Sequence, residues 1–273
     1  MMPKTRFSFL IENESCRPEI GSEHGLAVLV EKEGHRILFD TGQSDLLLAN
    51  AREMSIDLSR VDKIVLSHGH YDHGGGLEAL SHIIDTEIIV AHQAALEPRY
   101  SVASGSSPRQ IGITMPEKLF DRLQVVSKVT ELAPGLFFLG VIPRQTAFED
   151  TGGSFFLDPQ GKEPDLLPDD SGLLVWTDSG PVLLVGCAHS GIVNILQYVA
   201  QMLSINEFAA VLGGLHLLNA KPARLQKTVD AFRSFHVKQI GPVHCTGKRG
   251  VSALTSAFQD RIVSCCAGTV LEF

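Results

Sequence analysis

The 273-residue chain has no apolar run that could cross a bilayer, which takes about 20 residues as a helix, so no membrane partner is expected. Its first residues, MMPKTRFSFLIENES, hold one short apolar patch and reach Glu12 at once, too little for the core of a secretory signal. The expectation is a cytoplasmic protein. There is no Lys/Arg run either, and 23 basic against 31 acidic residues give a formal net charge of −8. Nucleic-acid binders usually carry a basic stripe or patch, so no nucleic-acid partner is expected, although net charge does not report local distribution. Cysteine is scarce: Cys16, Cys187, Cys245, Cys265 and Cys266, an odd number with no Cys-x-x-Cys. That argues against a disulfide framework or a zinc ribbon, and reduced thiols are expected for all five. Cys187 and Cys245 stand out because each lies beside a histidine. No short repeat is visible.

The chain does contain enough apolar residue, 44% against 20% charged, to build a sizeable core. Its length suits one large α/β layer domain over residues 1–273, acting on a small molecule and open to homo-oligomerisation. Gly25–Glu31 and His35–Asp40 read as strands around a Lys32-Glu33-Gly34 turn. Ser44 opens a helix running to about Met54, Val61–Leu66 is a short strand, Leu77–Leu80 a helical turn and Glu87–Val90 a further strand. From residue 94 to 168 periodicity weakens and Pro, Gly and Ser become frequent, which suggests an insertion or lid with a few strands such as Leu136–Val141. Strands are expected again at Leu173–Thr177, Val182–Val185, Ala209–Leu212 and Gln239–Val243, and in the tail Ile262–Phe273. Helices are expected from Ile192 to Leu203 and from Pro222 to Phe235. The strand–helix rhythm recurs on both sides of the insertion, as for two α/β layers packed sheet to sheet.

The chemistry concentrates in Ser67-His68-Gly69-His70-Tyr71-Asp72-His73-Gly74-Gly75. Three imidazoles and a carboxylate fall within six positions after an apolar strand. On a tight loop His68 and His70 could face one cation, with Asp72 and His73 facing a neighbour. Gly69 and Gly74–Gly76 remove side chains where the loop turns. A lone histidine is more often a hydrogen-bonded core or surface residue than a ligand, but four donors this dense reverse that expectation. Imidazole and carboxylate suit Zn²⁺ first, with Fe²⁺ or Mn²⁺ as alternatives, and the absence of thiolates here argues against a structural zinc site.

His-x-His-x-Asp-His after a strand, with Asp40-Thr41-Gly42 upstream, resembles the metallo-β-lactamase superfamily. The resemblance implies an αββα sandwich, here with a central insertion, holding one or two divalent ions at the sheet edge. It also implies later ligands at strand ends, which His189 in GCAHSG and His244 in HCTG would supply. The superfamily usually has a bridging Asp where this chain has Cys187. Asp170 is a candidate replacement, and Cys187 could itself ligate or be buried and inert. Asp40 would hold a ligand imidazole, or serve only as a turn aspartate. HGHYDHGGG, GVIPRQTAFE, GCAHSG, GGLHL and HCTG, in this order, are similar to dihydropterin–ribofuranosylaminobenzene phosphate synthases of this fold.

That resemblance implies joining a pterin methyl group to an aryl amine as pyrophosphate leaves. The same ligands could instead activate water to hydrolyse an ester, phosphoester, thioester or amide. Asp72 would orient the nucleophile or take its proton. Arg144 would contact phosphate or carboxylate, or be a surface arginine. His216 would contact substrate or donate a proton, or be a satisfied loop histidine. A di-iron, oxygen- or NO-reducing role is disfavoured because His70 stands where that branch usually has Glu. A nuclease is opposed by the acidic balance, and a metal-binding sensor without turnover is left open.

Overall fold

In the computed structural model, which describes residues 4–84, 88–102 and 107–273, strands follow the β-branched and aromatic runs and helices follow the 3.6-residue apolar spacing. Chain order begins β1 (Arg6–Ile11), β2 (Ala27–Lys32), β3 (His35–Phe39), α1 (Leu46–Glu53), β4 (Lys63–Val65), α2 (Tyr71–Gly74), α3 (Leu77–Leu80) and β5 (Ile88–Ala91). It continues through β6 (Tyr100–Ser101), β7 (Arg109–Gln110), β8 (Leu123–Val125), β9 (Thr130–Ala133), β10 (Leu136–Phe138), β11 (Phe155–Phe156), β12 (Gly172–Thr177) and β13 (Gly180–Val185). It ends with α4 (Ile192–Leu203), β14 (Ala210–Gly214), α5 (Pro222–Ser234), β15 (Gln239–Val243), α6 (Gly247–Phe258) and β16 (Val270–Glu272). Glu87, the expected start of β5, and residues 103–106 of the Ser-rich run lie outside the described residues. Among the described residues no helix is long and apolar enough to cross a membrane.

The chain divides into two compact units. The first comprises Met1–Ser127, Gly153–Asp169 and Cys266–Phe273. Its seven-stranded sheet has the order β16-β1-β2-β3-β4-β5-β8. It is antiparallel from β16 to β3 and parallel from β3 to β8. Glu33 and Gly34 join β2 to β3 with φ of 51° and 87°, the left-handed pair that a two-residue hairpin of matching twist requires. Leu47 and Ala51 of α1 and Leu77 and Leu80 of α3 pack with Leu38, Ile64 and Ile89 of the strands. Because β3, β4 and β5 are parallel, the residues after them emerge at one edge, the usual location of ligand sites in α/β sheets.

Two features of this unit correct the sequence reading. The tail strand β16 pairs with β1, which the sequence showed only as an apolar patch. Cys16 and Cys266 form a disulfide with their Cα atoms 5.5 Å apart, so five reduced thiols are not what the structure contains. The two cysteines meet because β16 brings the tail back beside β1. Within 94–168, β8 extends the first sheet, β9 and β10 belong to the second unit, and β11-β6-β7 form a three-stranded sheet.

The second unit comprises Lys128–Gly152 and Asp170–Cys265. Its six-stranded sheet runs β15-β14-β13-β12-β10-β9, with the first three strands parallel and the remaining neighbours antiparallel. Ile192, Ile195, Leu196 and Val199 of α4 bury one face against Leu183 and Val185, together with Phe232 of α5 and Phe258 of α6. The N-terminus of α4 is capped from outside its own sequence: Glu149 accepts the N–H groups of Val193 at 3.0 Å and Asn194 at 2.9 Å. The helix α6 was not anticipated because its opening, Gly247-Lys248-Arg249-Gly250, reads as a loop. Its burial of Gly250, Leu254 and Phe258 is nevertheless a four-residue helical repeat.

Arg99 is fully buried in the first unit. Its Nε lies 3.1 Å from Asp165, and its Nη2 donates to Asp169 at 2.6 Å and to the Ala94 carbonyl at 2.8 Å. Asp169 also accepts the N–H of Gly69 at 2.7 Å. This guanidinium therefore fixes both the 165–169 strand of chain and the histidine loop. Replacing it by a residue of similar volume strands two buried carboxylates without their cation. Arg99→Met is expected to destabilise the protein by about 3–5 kcal/mol, read by chemical denaturation. A loss below about 1 kcal/mol would show that the network is not structural.

Candidate metal centre

The segment after β4 carries His68 and His70 in a loop and Asp72 and His73 in the short helix α2, all buried. His68 Nε2 lies 3.0 Å from His70 Nδ1. His73 Nε2 lies 3.8 Å from an Asp72 oxygen. Two nitrogens bound tetrahedrally to one zinc at 2.0–2.1 Å would be about 3.3 Å apart, so the His68–His70 spacing fits a shared cation. The rings of His68 and His73 are also close, with centroids 4.3 Å apart. His24, which sequence reasoning missed, places Nε2 3.1 Å from Asp72. No motif marked it, because it lies 48 residues before Asp72, which it touches.

Each imidazole is oriented by a neighbour. Asp40 is fully buried directly after β3 and has φ of 58°. Its carboxylate accepts the Ser67 N–H and the Ser67 hydroxyl at 2.7 Å each, and lies 2.7 Å from His73 Nδ1. The ring atom of His73 that would take a cation is therefore Nε2. Ser67 Oγ in turn lies 2.9 Å from His68 Nδ1. Asp40 thus contacts the His73 ring and not only its own turn. The glycines serve close approach rather than positive φ. A Cβ on Gly69 would lie 2.1 Å from the Ala95 carbonyl oxygen, and one on Gly76 2.2 Å from that of Thr41.

In the second unit His189, His216 and His244 follow β13, β14 and β15, and the parallel register brings them out at one sheet edge. Thr151 O lies 2.7 Å from His189 Nδ1 and sets that ring. The rings of His189 and His216 are 4.3 Å apart. Ala188, His216 and His244 all have left-handed backbone, with φ of 54°, 46° and 52°. Such conformations cost about 1–3 kcal/mol each and gather at functional sites. Gly152 makes room for His216, since a Cβ there would lie 1.8 Å from its ring.

Asp170 is buried with its oxygens on the N–H groups of His189 at 2.9 Å and Ser190 at 2.7 Å. Burial pushes its pKa up to about 6 even though those N–H groups favour the charged form. Asp170 thereby builds the turn that carries His189. Arg144 is exposed, and its Nη1 donates to the His189 carbonyl at 2.7 Å, bracing the same turn. Cys187 is buried, and its carbonyl accepts from Cys245 Sγ at 3.5 Å. Burial alone would raise the Cys245 thiol, but contact with Cys187 and the charges of His216 and His244 bring it well below its ordinary value. For His216 burial opposes protonation, yet the Cys245 sulfur beside it raises the pKa. Sequence reasoning noted Cys245 but gave it no role, and it missed Asp169, Glu149 and Arg99.

A family model described as the metallo-beta-lactamase superfamily matches residues 20–227. The chain belongs to the metallo-beta-lactamase superfamily, and its fold class is the one expected from the sequence. It is 32% identical to the 7,8-dihydropterin-6-methyl-4-(beta-D-ribofuranosyl)-aminobenzene-5'-phosphate synthase of Methanocaldococcus jannaschii, over 92% of this chain and 90% of that one. A solved structure described as a metal-dependent hydrolase of the beta-lactamase superfamily is 35% identical, with a TM-score of 0.85 over 98% of this chain and 99% of its own. A diphosphatase from the PhnP family, 15% identical with a TM-score of 0.53 over 100% and 98% of the two chains, shares the fold alone.

If Asp40 orients His73 for a cation, removing its charge must weaken binding. Asp40→Asn is expected to lower zinc affinity about 10–100-fold, measured by competition against a chromogenic chelator. Unchanged affinity would mean that His73 takes no part.

Proposed function

We propose that the chain is a metal-dependent transferase joining a dihydropterin pyrophosphate to a ribofuranosylaminobenzene phosphate. The observation that carries metal dependence is the buried, individually oriented donor set of His68, His70, Asp72 and His73. We assign one or two divalent ions to these residues together with His189 and His244, zinc first and iron(II) or manganese(II) as alternatives. Asp170 and Cys187 remain additional candidates. Such an ion, when bound, supplies a lowered pKa for coordinated water and neutralises phosphoryl charge. The pterin reading is supported by 32% identity, over nearly the whole of both chains, to a protein named for that synthesis.

In this reading the bond from the pterin methylene carbon to the pyrophosphate oxygen breaks, and the aryl amine supplies the electron pair of the new bond. Asp72 accepts the proton that the nucleophile loses, and His216 returns a proton to the leaving group. Arg144 contacts substrate phosphate through the guanidinium edge that does not hold the His189 carbonyl. The 94–168 segment acts as a cover. Its small sheet reaches the histidine loop, with the Phe155 ring 5.0 Å from that of His70 and Gly112 bridged to His70.

A second reading, hydrolysis of a phosphoester, ester or thioester, is favoured by the 35% identical structure described as a hydrolase. There Asp72 takes its proton from water. Metal-loaded protein given both pterin pyrophosphate and aryl amine is expected to release pyrophosphate, and to release none with either alone. Cleavage of a single phosphoester substrate without the amine would establish the hydrolase. No turnover of any of these by metal-loaded protein would contradict both readings. His70→Ala is expected to lose metal from one position and nearly all turnover. Full activity with unchanged metal content would refute its assignment.

A further inference from the structure

Arg224, in the first turn of α5, is 5% exposed, and its charge is only partly answered. Its Nη1 donates to Asp150 at 2.6 Å, while Nε and Nη2 are buried and reach no acceptor in the protein. We infer that the Nε–Nη2 edge of Arg224 anchors a phosphoryl group of the substrate, which enters as Asp150 swings away. The inference rests on the phosphorylated-substrate reading and uses none of the residues assigned to the metal.

An unmet buried donor on a charged group is costly, so two of them on one guanidinium call for an acceptor from outside the chain. Nε and Nη2 are the parallel pair with which a guanidinium meets two oxygens of one phosphate. A carboxylate held through Nη1 leaves that pair unused. Asp150 also holds its place weakly. Its side chain is 79% exposed, so release into water costs it little. The residues around it are half-buried or exposed, and they lie on α5, with Lys227 Nζ 4.5 Å over the Phe148 ring. Movement of this segment uncovers the free edge of Arg224.

The helix acts in the same direction. The first turn of α5 holds no acidic residue, and Lys221 at its N-cap supplies no side-chain acceptor. A cation there opposes the helix dipole, whereas an anion is favoured by both the dipole and the guanidinium. The position suits the proposed reaction. Arg224 is near enough for its charge to act on Glu149 and on His216, the residue assigned above to the leaving group. That reaction also needs two phosphoryl anchors, because one substrate carries a pyrophosphate and the other a phosphate. Arg144 supplies one, and Arg224 supplies the second.

Inorganic pyrophosphate and ribose 5-phosphate, titrated by calorimetry into the full-length protein as purified, test the anchor. Arg224→Gln is expected to weaken the tighter of the two about tenfold or more. Asp150→Asn is expected to strengthen it about two- to fivefold, the scale of one exposed ion pair. A merely structural ion pair would not move the two variants in opposite directions. Because Asp150 is exposed, its variant decides the matter even where Arg224→Gln fails to fold. Tighter pyrophosphate binding assigns the leaving group to Arg224, and tighter ribose 5-phosphate binding assigns the other substrate's phosphate. The same opposite shifts are expected in the His70→Ala background. The anchor is overturned if neither anion binds, or if Asp150→Asn binds no better than the wild type. It is also overturned if affinity falls with His70→Ala but not with folded Arg224→Gln. Anion binding that follows Arg224 and Asp150 without turnover would fail the transferase reading and leave the anchor standing.

Discussion

A single buried carboxylate organises the histidine segment of the first unit. Asp40 leaves β3 in left-handed backbone and takes the Ser67 N–H, the Ser67 hydroxyl and the His73 imidazole. Three contacts near 2.7 Å anchor the end of β4 to the end of β3 and set the rotation of one imidazole, while Ser67 sets a second. A buried carboxylate is costly unless it is fully hydrogen-bonded. The same bonds that satisfy Asp40 therefore rigidify the loop, and the loop cannot relax without exposing that cost. Arg99 with Asp165 and Asp169 repeats the principle on the other side of the loop, through the Gly69 N–H.

The second unit solves the equivalent problem with backbone acceptors and helix caps. Thr151 O sets His189, Asp170 builds its turn, and Glu149 closes the start of α4 immediately beyond. Asn194 accepts the N–H groups of Gln145 and Thr146 at 2.8 Å each, which locks the loop bearing Arg144 to the same helix. In both units the parallel strands do the gathering. Residues far apart in sequence emerge side by side because neighbouring strands point the same way.

Much of this was legible in the sequence. The strands flanking Glu33–Gly34, the histidine loop and the half-buried helix after Gly191 all announce themselves through period or turn chemistry. Other features depend on long-range register, which no local pattern carries. β1 looks like an isolated apolar patch until β16 pairs with it, and the Cys16–Cys266 disulfide follows from that pairing. The 94–168 segment reads as one insertion because its strands are short. Their allocation to three different sheets is decided by edge pairing. Arg99 and Asp169, 70 residues apart, carry no motif at all.

The proposed chemistry turns on a cation held by buried imidazoles and carboxylates. Elemental analysis of protein purified without chelators, followed by zinc titration of the demetallated form, tests this most directly. At least one zinc, iron or manganese per chain, and stoichiometric zinc uptake with submicromolar affinity lost in His68→Ala, is the predicted result. Protein that emerges empty and stays indifferent to all three ions would contradict it.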